Sequence, residues 1–274
     1  MPEMPLKACR IAGLLLFAAG VALLAGERVW GFFPLPDLPP PEEYGNVIIS
    51  RNSGQNNVKP VSFSHWVHRR KYTCRVCHFE LEFAMEANAT GITETDNREG
   101  RFCGACHNGV ELFGHNKAEE CVYCHNGDIR ISTDWFRELE KFPSGLHGNM
   151  INWTETWKKG LINPKSQLTI PAFTNLAFSE DLVIESEWAM VSPAVFPHGE
   201  HIKWLDCNVC HPFLFDIKKK FTKNFKMATN IDGNFCGVCH MRVAFPLADC
   251  NHCHPDMRKI IYKQPQGLRE IDEE

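Results

Sequence analysis

The sequence of 274 residues has little net charge, because 29 lysines and arginines oppose 33 aspartates and glutamates to leave −4 at pH 7. That balance gives no reason to expect a nucleic-acid partner. Unpaired cysteines are also scarce: of the 13 cysteines, only Cys9 lies outside a Cys-x-x-Cys pair. What the chain has in quantity is therefore cysteine at one fixed spacing, and that spacing indicates the class of protein.

Each of the six Cys-x-x-Cys pairs is followed immediately by a histidine. In chain order, motifs 1 to 6 are Cys74/Cys77/His78, Cys103/Cys106/His107, Cys121/Cys124/His125, Cys207/Cys210/His211, Cys236/Cys239/His240 and Cys250/Cys253/His254. Zinc ribbons, redox dithiols and disulfide frameworks also use paired cysteines, but none of them requires a histidine after every second cysteine. The pattern is the attachment signature of c-type heme, in which both thiols bond to the porphyrin and the histidine ligates the iron. The sequence predicts six covalently attached hemes c, with each motif on a short helical turn that brings the three side chains to one face.

Six hemes leave only about 46 residues of protein for each, so the porphyrins must supply much of the buried apolar surface. We therefore predict a mostly irregular fold, with short α-helices wrapped around covalently bound hemes.

The motifs are arranged in an internal repeat with an offset of 133 residues. Pro60 to His68 matches Pro193 to His201, and Cys74 to His78 matches Cys207 to His211. The chain is thus predicted to contain two tandem triheme modules, each with minor strand structure near its start. Module 1 covers 45–127, module 2 covers 193–260, and a heme-free segment, 128–192, bridges them. Amphipathic patterns in that segment predict helices over Asp134 to Phe142 and Trp153 to Lys159.

The N-terminal segment, 1–33, has the pattern of an export signal. Lys7 and Arg10 precede an apolar run from Ile11 to Ala25, and no Ala-x-Ala cleavage site follows. The pattern fits a signal peptide or a transmembrane anchor, and we favour an anchor with the cytochrome on the periplasmic side of a bacterial inner membrane. A stiff proline-rich linker, 34–44, follows, and a polar tail, 261–274, ends the chain.

A second pattern, Phe-x-His-x-x-His, precedes the first heme motif of each module, at Phe63 to His68 and at Phe196 to His201. This arrangement resembles the triheme cytochrome c7 family, relatives of tetraheme cytochrome c3. The resemblance implies that the first histidine ligates the first heme of its module and the second reaches the next heme. The implied axial pairs are His65 with His78, His68 with His107, His198 with His211, and His201 with His240.

The third heme of each module departs from the simplest triheme cytochromes, since neither module has a histidine just before its second motif. His115 and His147 have no counterpart in module 2, and His252 lies inside motif 6. Met85 and Met227 do recur, in Phe-x-Met-x-x-Asn contexts at an offset of 142. Methionine is an axial ligand that raises heme potential, although core packing is its usual role. We expect both to ligate the third heme of their modules.

Six proximal histidines, four distal histidines and two methionines supply twelve axial ligands for six irons. Irons with both axial positions filled pass electrons but have no vacancy for substrate. We therefore expect a hexaheme cytochrome, not an enzyme, that relays electrons in the periplasm between membrane redox enzymes and downstream acceptors. Other cytochromes and membrane quinol-linked complexes are the expected partners. The alternatives are a multiheme reductase subunit with an open heme and a filament-forming extracellular cytochrome.

Overall fold

The computed structural model describes residues 35–172, 180–189, 191–217 and 222–257. Over these residues the backbone is mostly loop and turn, interrupted by α-helices of four to seven residues. They are α1 (His65–Arg69), α2 (Glu94–Arg98), α3 (Cys121–Cys124), α4 (Thr133–Phe136), α5 (Trp153–Lys158), α6 (His198–Trp204), α7 (Cys207–Cys210), α8 (Met227–Ile231), α9 (Gly237–His240) and α10 (Cys250–Cys253). Helices this short are not stable alone in water. The predicted combination of short helices and irregular backbone is what the structure shows.

A two-stranded antiparallel hairpin leads into the Phe-x-His-x-x-His segment of each module. In module 1 Asn46 pairs with Ser64, and in module 2 Asp181 pairs with Pro197. The strands are β1 (Asn46–Ile49), β2 (Val61–Ser64), β3 (Asp181–Ile184) and β4 (Ala194–Pro197). Because β2 runs directly into α1 and β4 into α6, each hairpin fixes where its two distal histidines lie. The hairpin of module 2 begins before residue 193, within the segment expected to be a bridge.

The heme motifs form single turns. Helices α3, α7, α9 and α10 contain cysteines of motifs 3 to 6, while motif 1 lies on a π-helical turn, Val76–Glu80, and motif 2 begins on a 3-10 turn, Phe102–Ala105. In motifs 2 to 6 the histidine N–H donates to the carbonyl of the first cysteine, at 2.8 or 2.9 Å. This i to i−4 bond brings both thiols and the imidazole to one face of the turn.

The principal apolar cluster lies between the two modules. Trp66 of α1 and Trp204 of α6 are 1% and 8% exposed, and residues of segment 128–192 pack with them. Those residues are Leu139, Phe142, Trp153 and Ile162. The described residues from Leu38 onward belong to one compact unit, so the heme-free segment supplies the core that joins the modules.

A buried ion cluster joins motif 1 to motif 4. Arg75, between the cysteines of motif 1, is paired with Glu80 at 2.6 Å and with Asp206, just before Cys207, at 3.1 Å. All three side chains are at most 6% exposed. The Glu80 carboxylate also accepts hydrogen bonds from the backbone amides of residues 168–170. The cluster therefore connects both modules to the heme-free segment.

The N-terminal run from Ile11 to Ala25, Cys9 and the polar tail lie outside the described residues. Within the described ranges, no helix combines the length and the apolar character needed to span a membrane.

Candidate heme-binding sites

Three of the four implied histidine pairs face each other across a gap. The ring centroids of His65 and His78 are 6.4 Å apart, with the ring planes 5° from parallel. The rings of His68 and His107 are 6.2 Å apart, as are those of His201 and His240. Metal–imidazole bonds of about 2 Å on each side, together with the ring radii, fill a gap of this size. Each pair is therefore spaced to hold one metal ion between its rings.

The orientation of these rings is fixed by hydrogen bonds from Nδ1 to backbone carbonyl oxygens. Among the proximal histidines the acceptors are Phe83 for His78, Phe113 for His107, Lys59 for His125, Phe215 for His211, Phe245 for His240 and Ser192 for His254. Among the distal histidines they are Gly45 for His65, Ser64 for His68, Glu180 for His198 and Pro197 for His201. A carbonyl only accepts, so Nδ1 carries the proton and Nε2 presents its lone pair to a metal.

Burial keeps the central histidines neutral, which ligation requires. Loss of hydration lowers the pKa of His65 to about 3 and that of His240 to about 4. The same cause lowers the pKa of four more of these histidines, namely His68, His78, His107 and His201. These rings are ready to bind iron at neutral pH without first losing a proton.

The repeated spacing inside Phe-x-His-x-x-His has a direct packing reason. The Phe63 ring stacks on His68 at 4.3 Å and meets His65 edge to face at 4.9 Å. Phe196 repeats both contacts in module 2, with His201 at 4.1 Å and His198 at 4.7 Å. One phenylalanine therefore sets the directions of two histidines that serve two different hemes.

The thiols suit thioether bonds better than ionised sulfur. None of the twelve motif cysteines forms a disulfide among the described residues. Burial raises the pKa of Cys77, Cys236 and Cys239 to about 12. A thiolate is therefore disfavoured at these positions, whereas an uncharged thioether has no such desolvation cost.

Cys106, the second cysteine of motif 2, departs from the helical turn expected for every motif. It lies one residue beyond the 3-10 turn, Phe102–Ala105, with φ of −122°, and its amide donates to the Cys103 carbonyl at 3.2 Å. Its thiol also donates to Tyr72 Oη at 3.9 Å. A thioether sulfur has no proton to donate, so attachment of heme at Cys106 requires this hydrogen bond to be given up or reversed, with Tyr72 as the donor. The expectation of a regular helical turn was therefore wrong at Cys106, and its thioether bond stays a prediction.

Glycine after the first cysteine of motifs 2 and 5 is required by a close backbone approach. A Cβ on Gly104 would overlap the backbone of Asn97, and one on Gly237 would overlap that of Asn230. The same asparagines accept backbone N–H bonds through Oδ1, from Gly104 at 3.3 Å and from Cys236 at 3.2 Å. These contacts press α2 and α8 against the following heme motifs.

This geometry corrects part of the repeat alignment read from the sequence. Asn230 corresponds to Asn97 of α2, at the offset of 133 residues, and not to Asn88. Asn88 instead has a positive φ of 70° and accepts hydrogen bonds from the amides of Ser50 and Arg51. The match between Asn88 and Asn230 was wrong, because module 1 carries an extra loop before α2 that replaces the register of its flanks.

The phenylalanines of the same alignment do occupy equivalent places. Phe83 meets Phe102 edge to face at 5.4 Å, and Phe225 meets Phe235 at the same distance. Both methionines are half-buried, but Met227 begins α8 whereas Met85 lies in the loop. Their ligation of the third hemes stays a prediction.

The third proximal histidines close each module on itself. His125 donates to Lys59 at 2.8 Å and His254 to Ser192 at 2.6 Å. These acceptors are 133 residues apart, at the start of the segments that lead into β2 and β4. Of the spare histidines, His252 bonds to the Asp249 carboxylate at 2.6 Å instead of to a carbonyl.

Sequence reasoning missed Arg69 and Tyr44, which lie at the contact between the modules. The Arg69 guanidinium stacks over Trp153 and Trp204, and Tyr44 Oη donates to Ala244. Neither belongs to a motif. An arginine directly after a ligand histidine, where module 2 has Ile202, was the one available signal.

Comparisons with known proteins agree with this geometry. The family model described as "Cytochrome c7 and related cytochrome c" matches residues 61–126 and 194–260, which contain all six motifs. A c7-type three-heme cytochrome domain is 36% identical over 32% of this chain and 94% of its own, with a TM-score of 0.26. The C-terminal hexaheme fragment of GSU1996 is 26% identical over 80% of this chain and 99% of its own, with a TM-score of 0.26. No curated protein matches.

The dodecaheme cytochrome c GSU1996 is 25% identical over 77% of this chain and 74% of its own, with a TM-score of 0.26. At these TM-scores the identification depends on sequence and not on superposition. The two matched regions each contain three complete attachment motifs, so the chain carries six hemes c in two triheme modules. The protein is therefore a multiheme c-type cytochrome that belongs, through two tandem copies, to the cytochrome c7 family of electron carriers.

Proposed function

We propose that this cytochrome relays electrons in the periplasm between membrane redox enzymes and downstream acceptors, with no chemistry of its own. The observation that carries the proposal is the facing of His65 with His78, of His68 with His107, and of His201 with His240. A histidine on each side of an iron leaves no position for substrate.

We assign the remaining axial positions by the same logic. His198 is the distal partner of His211, since both donate Nδ1 to backbone carbonyls as the facing pairs do. Met85 and Met227 complete the sites of His125 and His254. Heme supplies reversible one-electron chemistry at these sites, and the chain's task is to hold the ligands, keep them neutral and exclude water.

The closeness of successive motifs supports a relay. Electrostatic interactions link Cys77 to the cysteines of motif 2, Cys103 and Cys106, and link Cys103 to Cys124 of motif 3. In module 2 they link Cys236 to the neighbouring motifs 4 and 6. Sites within electrostatic range of one another are spaced for rapid electron exchange along each module.

The location and partners follow from the sequence and the family. Cytochromes of this kind work outside the cytoplasm, and Lys7 and Arg10 ahead of an apolar run favour retention at the inner membrane. Other cytochromes and quinol-linked membrane complexes are the partners we propose. Sequencing the mature N-terminus after membrane fractionation tests the anchor: a protein that starts near Phe32 in the soluble fraction would exclude it.

Carbon monoxide binding tests whether the protein has an open iron. We expect the fully reduced protein to bind no carbon monoxide and to leave nitrite, hydroxylamine and tetrathionate unconsumed. The third heme of each module is the most sensitive point, because a methionine is more easily displaced than a histidine. Stoichiometric carbon monoxide binding together with rapid turnover of any of the three would favour a reductase instead.

A further inference from the structure

The two modules touch where the distal side of motif 1 meets the segment after motif 5. Tyr44 Oη donates to the carbonyl of Ala244 at 2.6 Å. Gly45, whose carbonyl holds His65, lies so close to Arg242 that a Cβ there would be 4.0 Å from the Arg242 oxygen. The ligand of one module is thus anchored on backbone that packs against the other.

Arg69, the last residue of α1, occupies the centre of this contact. Its guanidinium lies 4.9 Å from the Trp153 ring centre and 5.0 Å from that of Trp204. Its Nη1 donates to the carbonyl of Val243 at 3.1 Å. Its buried Nε has no hydrogen-bond partner among the described residues. An arginine stays charged even when buried, so a fixed cation with a spare donor lies at the module boundary.

The charge of Arg69 acts on both modules. It interacts with Cys74 and His65, which belong to the site of motif 1. It also interacts with Cys239 and His240, which belong to motif 5. A cation beside a heme disfavours the oxidised iron, which carries one positive charge more than the reduced iron, and so raises the reduction potential. An unpaired guanidinium donor also suits a heme propionate.

We propose that Arg69 is a positioning residue shared by the sites of motifs 1 and 5, and that electrons cross between the modules there. Sequence order alone would place the crossing between motifs 3 and 4, which are consecutive along the chain. The inference extends the proposed relay and depends on it. Module 2 has Ile202 at the equivalent position, so the cation is a feature of the boundary and not of the repeated module. Apolar packing alone would be served as well by an isoleucine or a methionine.

The test is an NMR-monitored redox titration of the full-length holoprotein with its six hemes assigned. Arg69→Met should lower the midpoint potentials of two hemes, those of motifs 1 and 5, and leave the other four unchanged. Arg69→Lys should keep both potentials close to wild type. Arg70→Met is the matched control, because Arg70 is the next residue but pairs with exposed Glu138 at 3.5 Å; it should shift neither heme. Unchanged potentials in Arg69→Met, or shifts confined to one module, would overturn the inference.

If Arg69→Met does not retain six hemes, the wild-type titration decides. The largest redox interaction between modules should then join the hemes of motifs 1 and 5. A largest interaction between motifs 3 and 4 would refute the proposed crossing. Neither result bears on whether the irons are closed, which carbon monoxide binding tests separately.

Discussion

The ion cluster of Arg75, Glu80 and Asp206 should contribute far more to stability than a typical ion pair, and Asp206→Asn isolates that contribution. Asp206 also caps α7 by accepting the amide of Asn208 at 3.2 Å. Asparagine caps a helix as well as aspartate does, so the substitution removes the charge but keeps the cap.

The size of the effect follows from burial. Arg75 and Asp206 are 4% and 6% exposed, and leaving one partner of a buried pair uncompensated costs roughly 3 to 5 kcal/mol. Glu80 still pairs with Arg75 in the variant, which places the expected loss at about 3 kcal/mol. For a protein of this size that corresponds to roughly 6 to 12 °C in the melting temperature.

Guanidinium unfolding of the holoprotein, followed by the Soret band and by far-ultraviolet circular dichroism, measures this loss. The matched control is Glu94→Gln, which breaks an ion pair with Arg98 in which the glutamate side chain is 74% exposed; exposed pairs contribute at most about 1 kcal/mol. Equal losses in Asp206→Asn and Glu94→Gln would refute the reasoning that the modules are joined through a buried charge cluster.

Further predictions concern the same cluster and the heme sites. Burial alone would raise the pKa of Glu80, but bonds from the amides of residues 168–170 and the Arg75 charge hold it below its ordinary value of 4.5; its stabilisation is therefore present above that pH and lost as the pH falls further, and unfolding at pH 3 to 7 should show a shallower acid loss in Glu80→Gln than in wild type. Replacing Met85 or Met227 by histidine should lower the potential of one heme and abolish one methionine–iron charge-transfer band, and unchanged spectra in both variants would leave His115 as the next choice for module 1. Gly104→Ala should destabilise by about 3 kcal/mol or prevent attachment at motif 2, because a Cβ overlaps the Asn97 backbone; Gly54→Ala, which meets open space, should change neither stability nor heme content.

Covalent spacing made much of this protein predictable from its sequence. The number of hemes, the two modules and the irregular backbone all follow from six Cys-x-x-Cys-His motifs and their repeat. The helix expected over Asp134 to Phe142 is α4, Thr133–Phe136, followed by a 3-10 turn, Arg137–Leu139, and the helix from Trp153 ends at Lys158. Those patterns were local, and the structure retains them with small changes at the ends. Motif 2 shows the limit of such local inference, since the same spacing there forms a 3-10 turn that ends before Cys106.

Long-range arrangement was not predictable in the same way. The contact of Arg69 with Trp204 and Val243 joins residues more than 130 positions apart, and no periodic signal encodes it. The error over Asn88 has a physical cause as well: an inserted loop preserved a similar run of letters while the helix that packs on motif 2 moved nine residues along. Letter matches alone could not distinguish a capping asparagine in a loop from a buried one in α8.

Quantifying iron spin states is the most direct test of the central claim that all twelve axial positions are filled. Electron paramagnetic resonance of the oxidised holoprotein, combined with resonance Raman spectra of both redox states, counts high-spin and low-spin hemes separately. Filled axial positions predict six low-spin hemes and no high-spin signal in either state. One or more stoichiometric high-spin hemes at neutral pH would contradict the account, since a vacant or water-bound iron can bind substrate.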